Sequence, residues 1–156
     1  MSIHSLTAVM HINSASNGPC PVLCIDGVPL SDLLAEMLGD DDLAALVPAQ
    51  GWLIDDVELQ LARQRIHVGE HGISTTVPLL ICSDDLDLSC TVLIAEQEVT
   101  DDAVIWRRFG LDQSPAGHQV GTSVRWDARS RELAFDKAGF VDATARFIEM
   151  CDREWI

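Results

Sequence analysis

Three aspartates within four residues are the first candidates for chemistry in this sequence. Asp84, Asp85 and Asp87 form an acidic cluster, and carboxylates of this kind are the ligands that hard cations prefer. An EF-hand loop starting at Asp84 would need glycine and glutamate where Ser89 and Ala95 stand. Paired carboxylates could hold Mg²⁺ for hydrolysis, but no basic residue lies nearby to receive a phosphate. Aspartates in a turn more commonly support the turn itself.

Two spacings of histidine and cysteine are also compatible with metal ligation. His67 and His71 are four residues apart, which on a helix would place both on one face for zinc. Glycines at 69 and 72 interrupt any helix there, so both histidines are expected in a solvated loop. Cys20 and Cys24 have a zinc-like spacing, but no second Cys/His pair completes a site, and the residues between them favour a strand.

Motifs for nucleophilic catalysis are absent from the sequence. There is no Gly-x-Ser-x-Gly elbow, and the ten glycines are too dispersed for a phosphate-binding loop. Cys90 could meet His118 in space, but cysteines in strands are usually inert core groups. We therefore predict no catalytic residue, no metal and no cofactor, and a protein that is not an enzyme.

The segment 104–110 combines aromatic residues with two arginines. Strand alternation puts Val104, Trp106 and Arg108 on one face, and Arg107 and Phe109 on the other. Tryptophan and arginine could anchor a protein interface, where both are enriched. Large aromatic side chains are more commonly buried, and no basic field surrounds them for stacking on nucleic acid. We therefore predict that Trp106 belongs to the core.

The strongest compositional feature is negative charge. The chain has 25 Asp and Glu against 10 Lys and Arg, giving a formal net charge of −15 and a pI near 4.4. Binding nucleic acid requires Lys and Arg to release counterions from phosphates, and anionic membranes are repelled in the same way. A basic protein is attracted, and its association is accelerated. The charge therefore favours a cationic protein partner, with solubility alone as the other explanation.

Length and hydropathy predict a single cytoplasmic domain. No apolar stretch reaches the ~18 residues that span a bilayer, and the N-terminus lacks the basic and apolar regions of a secretion signal. Residues 1–156 are expected to form one domain that needs no metal or disulfide to fold. The five cysteines should be free thiols, with Cys24, Cys82 and Cys90 in apolar, strand-like surroundings.

The hydrophobic pattern predicts an α+β fold: a mostly antiparallel sheet with helices packed on one side, including a C-terminal helix. Strands are expected at 5–12, 22–25, 76–82, 88–99, 104–109, 121–126 and 133–135, with an Asp26-Gly27 turn and a hairpin near the N-terminus. Helices are expected at 29–38, capped by Ser31, at 43–46, and at 55–65, where a strand is the alternative. The last helix should start after Asp136 and run to about 152.

Three blocks in the second half of the chain resemble a family of small acidic bacterial proteins. They read Pro-Leu-Leu-Ile-Cys-Ser-Asp-Asp-Leu-Asp-Leu-Ser-Cys-Thr-Val at 78–92, Val-Ile-Trp-Arg-Arg-Phe-Gly-Leu-Asp at 104–112 and Val-Gly-Thr-Ser-Val-Arg-Trp at 120–126. Ser83 stands where the family pattern has a proline. Proteins of this style resemble immunity proteins of contact-dependent growth inhibition and polymorphic toxin systems. The resemblance implies binding to a toxin domain, often a basic nuclease.

Charge, the lack of reaction machinery and this resemblance favour an immunity protein, or antitoxin, over an enzyme. We expect the acidic turns to bind the cationic toxin domain through Asp84, Asp85, Asp87, Asp101, Asp102, Asp40, Asp41 and Asp42. Successive turns of a meander can lie at opposite ends of a sheet, so these residues need not form one patch. The alternatives are a small divalent-metal-dependent enzyme that uses the acidic turn 84–87 and a self-associating structural subunit.

Overall fold

A computed structural model describes residues 2–13, 15–69 and 73–153, and within these ranges the chain forms two β-sheets, four α-helices and one 3-10 helix. The strands are β1 (Ile3–His4), β2 (Leu6–Ile12), β3 (Pro19–Ile25), β4 (Val28–Pro29), β5 (Val47–Pro48), β6 (Ser74–Ile81), β7 (Val92–Val99), β8 (Ala103–Asp112), β9 (Val124–Trp126) and β10 (Leu133–Asp136). The helices are α1 (Leu30–Leu38), α2 (Ala49–Trp52), α3 (Asp56–Ile66) and α4 (Lys137–Arg153), with the 3-10 helix at Asp41–Ala45.

The larger sheet has the strand order β1-β10-β8-β7-β6-β5, and β9 also pairs with β8. Its centre is a meander, because β6, β7 and β8 follow one another along the chain and pair antiparallel. β1 pairs with β10 in parallel, whereas the other described pairs of this sheet are antiparallel. The predicted α+β class, with a mostly antiparallel sheet and a C-terminal helix, is confirmed.

The smaller sheet consists of β2, β3 and β4. β2 and β3 form the predicted hairpin, with Leu6 opposite Ile25. The Asp26-Gly27 turn joins β3 to β4, and these two residues have φ angles of 52° and 83°. Type I′ turns require positive φ at both central residues, which Asp-Gly pairs adopt readily. The turn prediction is therefore confirmed, and the strand that follows it was not predicted.

The C-terminal helix α4 connects the two sheets. Asp136 caps it as predicted, since its Oδ2 accepts the N–H of Gly139 at 2.9 Å. The helix packs on β2 and β3 of the smaller sheet and on β8 and β10 of the larger one. Phe140 and Phe147 are buried on the side of α4 that meets the sheets. The ring of Phe140 lies 5.9 Å from that of Trp106 in an edge-on arrangement, which places the helix over the centre of the core.

Two further helices follow the sequence pattern, although one starts differently from the prediction. α1 begins after Pro29 with no side-chain cap, so the prediction of Ser31 as N-cap is wrong. Proline restricts φ near the helical value and is well suited to a helix start. α3 begins after Asp55, whose Oδ2 accepts the N–H of Glu58 at 3.0 Å. The helical interpretation of 55–65 is therefore confirmed over the strand.

β7 and β9 are shorter than predicted. β7 begins at Val92 rather than Leu88, because residues 82–91 form a turn between β6 and β7. β9 begins at Val124, and the predicted residues 121–123 belong to the preceding loop. Leu88 satisfied the strand pattern in sequence but, with Leu86, packs against a cluster of buried residues that includes Leu53, Ala62 and Val92 instead of extending the sheet.

A bulge in β8 overturns the predicted alternation of its side chains. Phe109 lies opposite Ala95, and Trp106 lies opposite Gln97, so three steps along β8 match two steps along β7. An extra residue in one strand reverses the alternation beyond it. Trp106 and Phe109 therefore share the core, with ring centroids 6.2 Å apart, although strict alternation had assigned them to opposite faces.

Candidate functional site

The acidic turn comprises residues 82–91 between β6 and β7. Its ends are joined by the N–H of Cys82, which donates to the carbonyl of Thr91 at 3.1 Å, and Leu86 within it has a positive φ of 54°. Asp87 Oδ1 accepts both the hydroxyl (2.7 Å) and the N–H (2.9 Å) of Ser89. These hydrogen bonds lower the pKa of Asp87 from its usual value. The turn is therefore held by its own contacts, with Asp87 in a supporting role.

The start of α3 lies against the acidic turn. The N–H of Ile54 donates to the carbonyl of Leu86 at 3.3 Å, and the N–H of Leu88 donates to Glu58 Oε2 at 3.4 Å. These contacts bring together two groups of carboxylates that are far apart in sequence. We name this set the acidic surface: Asp55, Asp56, Glu58, Asp84, Asp85 and Asp87.

Glu58 is partly withdrawn from solvent within the acidic surface. Desolvation raises the pKa of Glu58; the Leu88 N–H lowers it, and the charges of Asp87 and Asp55 raise it again. Its Oε1 atom is buried and has no hydrogen-bond partner among the residues that the structure describes. A buried acceptor without a partner is costly, but a donor from another molecule reaches Oε1 only if the Glu58 side chain first turns outward. Within the described chain, the unbound protein therefore leaves this carboxylate oxygen unsatisfied.

Two large apolar side chains are exposed among these carboxylates. Ile54 is 73% exposed and Val57 is 77% exposed. Val57 is in the first turn of α3 and Ile54 precedes its capping residue Asp55, so both lie at the N-terminal end of this helix. The sequence analysis missed both, together with Asp55, Asp56 and Glu58 as site residues. The signal was available once 55–65 was taken as a helix, because its first turn then carries apolar residues that cannot all face the core.

A cleft of about 540 Å³ adjoins the acidic surface. One wall includes Val57, Glu58 and Leu61 of α3 with the second half of the acidic turn, and the other is the segment 112–120. Cys90 and His118 both line this cleft, so the tertiary structure brings the predicted pair into one concave region. No hydrogen bond joins them among the described contacts.

The segment 112–120 is held in place by a half-buried arginine and an aspartate. Asp112 Oδ1 accepts the hydroxyl of Ser114 at 2.6 Å and the N–H of Gly121 at 2.9 Å. Arg65 donates from Nη1 to the carbonyl of Val120 at 2.6 Å, and burial lowers the pKa of this arginine while the charge of Asp112 raises it. The wall of the cleft is therefore anchored at both of its ends.

Cys82 and Cys90 lie in the acidic turn and not in strands. The prediction of strand-like surroundings is therefore wrong for both, and Cys82 is half-buried whereas Cys90 is exposed. The cause is the late start of β7, which leaves Cys90 outside the sheet. The sulfurs of both cysteines and a carboxylate oxygen of Asp85 all lie within 4.8 Å of one another. Asp84 and Asp87 are not part of this group in the described chain.

The remaining thiols are in the interior. Cys20, Cys24 and Cys151 are buried, which confirms the prediction for Cys24. Burial raises the pKa of Cys20 and Cys24, and it raises the pKa of Cys151 to about 12. These three side chains therefore act as small hydrophobic groups, including the Cys20/Cys24 pair whose spacing resembled a zinc site.

The aspartates at 40–42 belong to a different region. Asp40 Oδ1 accepts the N–H of Asp42 at 3.1 Å and caps the 3-10 helix. Asp40 also lines a second cleft of about 320 Å³ with Arg129 and Trp126. Within the described chain this second cleft shares no lining residue with the first one. Asp41 and Asp42 are exposed, but the structure does not join them to the acidic turn.

The aspartates at 101 and 102 follow β7, whereas the acidic turn precedes it. An eight-residue strand is about 26 Å long at ~3.3 Å per residue, so the two turns lie at opposite ends of the sheet. The carbonyl of Asp102 accepts the N–H of Lys137 at 2.9 Å, which ties this turn to the start of α4. The predicted binding residues therefore do not form one patch.

Trp106 belongs to the core, as predicted. It is fully buried, and its Nε1 donates to Gln97 Oε1 at 2.9 Å. The neighbouring Arg107 donates to Glu98 at 2.8 Å and to Glu132 at 2.7 Å. With Trp106 inaccessible, this residue is excluded as an interface anchor.

The predicted histidine pair is described only in part. His67 is exposed just after α3, in agreement with a solvated loop. His71 lies outside the described residues.

Cations are absent from the segments that form the acidic surface. No Lys or Arg occurs before Arg63 or between Arg65 and Arg107. Among the ion pairs of the described residues, none includes a carboxylate of the acidic surface. The negative charge of this region is therefore not neutralised within the described part of the protein.

No protein-family model matches the chain significantly, and neither does a curated protein or a solved structure. In the part of the chain that the structure describes, no helix combines the length and the apolar character needed to cross a membrane.

Proposed function

We propose that this chain is an immunity protein, or antitoxin, that binds a cationic toxin domain in the cytoplasm and covers its active site or substrate groove. The observation that carries the proposal is the acidic surface, where the contact between the start of α3 and the acidic turn brings six carboxylates together with the exposed Ile54 and Val57. A nuclease is the toxin class that fits best, because its substrate groove must offer Lys and Arg to phosphates. Carboxylates can occupy such a groove in place of phosphates.

Long-range attraction would act before contact. The net charge of −15 steers a cationic domain toward this protein and increases the association rate at low salt. The aspartates at 101–102, at the other end of the sheet, and those at 40–42, of which Asp40 lines a separate cleft, would contribute to this steering. Their removal should therefore change the association rate more than the dissociation rate.

Short-range contacts would come from Ile54, Val57 and Glu58. Fully burying an aliphatic side chain of this size stabilises a complex by about 1.5–3 kcal/mol, and interface centres are commonly apolar with a polar rim. Ile54 and Val57 fit the centre, and the surrounding aspartates fit the rim. Glu58 Oε1 is buried and lacks a partner in the described chain. We expect the Glu58 side chain to turn outward on binding and its carboxylate to pair with a Lys or Arg of the toxin.

Free thiols support the cytoplasmic part of the proposal. All five cysteines are unpaired, and reducing compartments keep thiols in this state. The resemblance of the blocks at 78–92, 104–112 and 120–126 to small acidic bacterial proteins supports the same role.

The first test is protection of cells. The protein should be co-expressed with the cationic toxin domain encoded beside its own gene, and growth should be compared with expression of the toxin domain alone. We expect growth to be restored and a complex to appear on gel filtration of the purified pair. Continued killing, with no complex between the purified proteins, would contradict the proposal.

The second test locates the interface on the acidic turn. Replacing Asp84, Asp85 and Asp87 together by Asn keeps the side-chain acceptor that Ser89 uses but removes three charges. We expect the Kd for the toxin domain to rise at least ~10-fold, since a charge paired in an interface contributes ~2–5 kcal/mol. Surface plasmon resonance at two salt concentrations would separate the association and dissociation rates.

The matched control removes three charges elsewhere. Asp101, Asp102 and Asp142 replaced together by Asn change the net charge equally, but the 101–102 turn lies at the other end of the sheet. We expect a slower association at low salt and a nearly unchanged dissociation rate. Equal losses of affinity in the two triple variants, or a larger loss in the control, would place the interface outside the acidic surface.

A further inference from the structure

The acidic turn brings two thiols and a carboxylate together at its base. Cys82 directly follows β6, and Cys90 lies two residues before β7. The Cys82 N–H donates to the Thr91 carbonyl at 3.1 Å and closes the turn between them. Asp85 is on the same turn, and its oxygen lies within 4.8 Å of both sulfurs, which are equally close to each other. The cluster shares Asp85 with the acidic surface, but its two thiols have no part in the proposed function.

We propose that Cys82, Asp85 and Cys90 form a binding site for a thiophilic divalent cation of the zinc class. Zinc is bound at about 2.3 Å by cysteine sulfur and at about 2.0–2.2 Å by carboxylate oxygen, in tetrahedral geometry. Ligand atoms of such a site are therefore roughly 3.5–3.8 Å apart. The three ligand atoms lie within 4.8 Å of one another, which exceeds the required separation by about 1 Å. Rotation of side chains in a surface turn can close this difference.

The donor types select the cation. Thiolates favour Zn²⁺ and Cu⁺, whereas Mg²⁺ and Ca²⁺ favour carboxylates, carbonyls and water. Asp84 and Asp87 lie outside the cluster, and Asp87 Oδ1 is occupied by Ser89. A hard-cation site built from Asp84, Asp85 and Asp87 is therefore disfavoured, and the turn suits a softer metal than the carboxylates alone would suggest.

The surroundings favour a positive charge at the cluster. Metal binding requires both thiols to lose their protons to solvent, and a divalent cation then offsets two of the three negative charges of its ligands. The rest of the acidic surface adds further attraction for the cation.

The fourth coordination position would face solvent or a bound partner. Asp85 and Cys90 are exposed, so the cation has a direct path to the cluster. Three protein ligands with water in the fourth position form an open site, in contrast to the four protein ligands of a closed structural site. The bound metal would tie the end of β6 to the start of β7 and stiffen the acidic turn.

The direct experiment is a titration of the full chain after complete reduction and removal of metals. Added Co²⁺ should give thiolate-to-cobalt charge-transfer absorption and the ligand-field bands of tetrahedral cobalt at one equivalent. Zn²⁺ should then bleach these bands, and it should raise the Tm by at least ~3 °C when in excess. Mg²⁺ and Ca²⁺ should do neither.

Variants assign the ligands. We expect Zn²⁺ binding to weaken at least ~100-fold in each of the variants Cys82→Ser, Cys90→Ser and Asp85→Asn. Loss of a hydrogen-bond partner of a metal ligand already lowers metal affinity up to ~100-fold, and loss of the ligand itself should lower it at least as much. Asp84→Asn is the matched control, since it removes a neighbouring exposed carboxylate that is not in the cluster. It should change the Kd less than ~5-fold through the local charge alone.

Alkylation gives an independent measurement. Iodoacetamide should modify Cys90 first in the metal-free protein, because Cys90 is exposed whereas Cys82 is half-buried, and Zn²⁺ should protect both. Absence of one-equivalent binding by the reduced protein, or unchanged binding by Cys90→Ser and Asp85→Asn, would overturn the proposal. Rapid conversion of Cys82 and Cys90 to a disulfide that zinc does not slow would also count against it.

Discussion

At the scale of single residues, Glu58 stands between the interior and the acidic surface. One of its oxygens accepts the Leu88 N–H at 3.4 Å, and the other is buried without a partner in the described chain. Desolvation is the largest influence on its ionisation and raises its pKa. The environment of Glu58 in the unbound protein therefore disfavours the charged form of its carboxyl group. A cationic partner would stabilise that charged form.

The raised pKa of Glu58 predicts a pH-dependent effect of Glu58→Gln. A carboxyl whose pKa is higher in the folded state binds more protons when folded, so its contribution to stability falls as pH rises from the unfolded pKa through the folded pKa. At pH 7 the uncharged glutamine should therefore increase the free energy of unfolding, by less than ~1 kcal/mol because the site is partly solvated. Below pH 4 the difference from the original protein should disappear.

Urea unfolding at several pH values would measure this effect. Glu36→Gln removes the same charge from the exposed side of α1 and serves as the control. If Glu58→Gln instead lowers the free energy of unfolding at pH 7, the charged carboxylate of Glu58 stabilises the folded protein and the prediction is wrong.

At the scale of elements, the start of α3 and the acidic turn form the site jointly. The Ile54 N–H bond to the Leu86 carbonyl connects residues that are 32 positions apart. β8 supports the opposite wall of the cleft, because it leads into segment 112–120 and pairs with β9 on the way back. The close approach of β8 and β9 depends on Gly110, which has no side chain.

Gly110→Ala should disrupt the pairing of β8 with β9. A Cβ at Gly110 would collide with the backbone carbonyl of Arg125, because Gly110 lies directly opposite Trp126. Backbone atoms of a paired strand cannot move aside without breaking the pairing, so we expect a loss of about 1–3 kcal/mol in the free energy of unfolding. Chemical denaturation followed by tryptophan fluorescence would provide the measurement.

Gly18→Ala is the matched control for this substitution. A Cβ at Gly18 meets no atom within 4 Å. The free energy of unfolding of the Gly18→Ala protein should therefore stay within ~0.5 kcal/mol of the original value. Equal stability of the two variants would show that β9 can separate from β8 without cost.

At the scale of the whole molecule, the charge distribution is uneven along the chain. All ten Lys and Arg residues lie at 63, 65 or beyond 106, so long parts of the chain carry only negative charge. Ion pairs with carboxylates hold several arginines of the described residues, including Arg63, Arg107, Arg108, Arg129 and Arg153. A net charge of this size keeps molecules apart but also repels itself within the folded state.

Moderate salt should therefore stabilise the protein on its own. Raising the ionic strength from ~0.01 M to ~0.15 M shortens the Debye length from ~30 Å to ~8 Å, which screens repulsion among carboxylates. We expect the Tm to rise by a few degrees in NaCl, as measured by calorimetry, and by less in the Asp101/Asp102/Asp142→Asn variant. A Tm that falls with NaCl would indicate that ion pairs outweigh repulsion.

The sequence by itself determined the features that depend on neighbours along the chain. Asp55 and Asp136 were recognisable as helix starts because a cap acts on an N–H two or three residues away. The Asp26-Gly27 turn, the central strands and the charge are equally local or compositional. These features were sufficient for the α+β class and for the expectation of an acidic binding surface.

Only the tertiary structure decided which of these features meet. The bulge that turns Phe109 toward Trp106 arises from pairing between β7 and β8, and no periodicity within β8 alone reveals it. The same holds for Cys90, which strand-like spacing assigned to the interior. The acidic surface forms because the start of α3 packs on a turn about thirty residues later, whereas the turn at 101–102 is carried to the other end of the sheet. Such contacts follow from the packing of the whole chain, because local patterns constrain only residues within a few positions of each other.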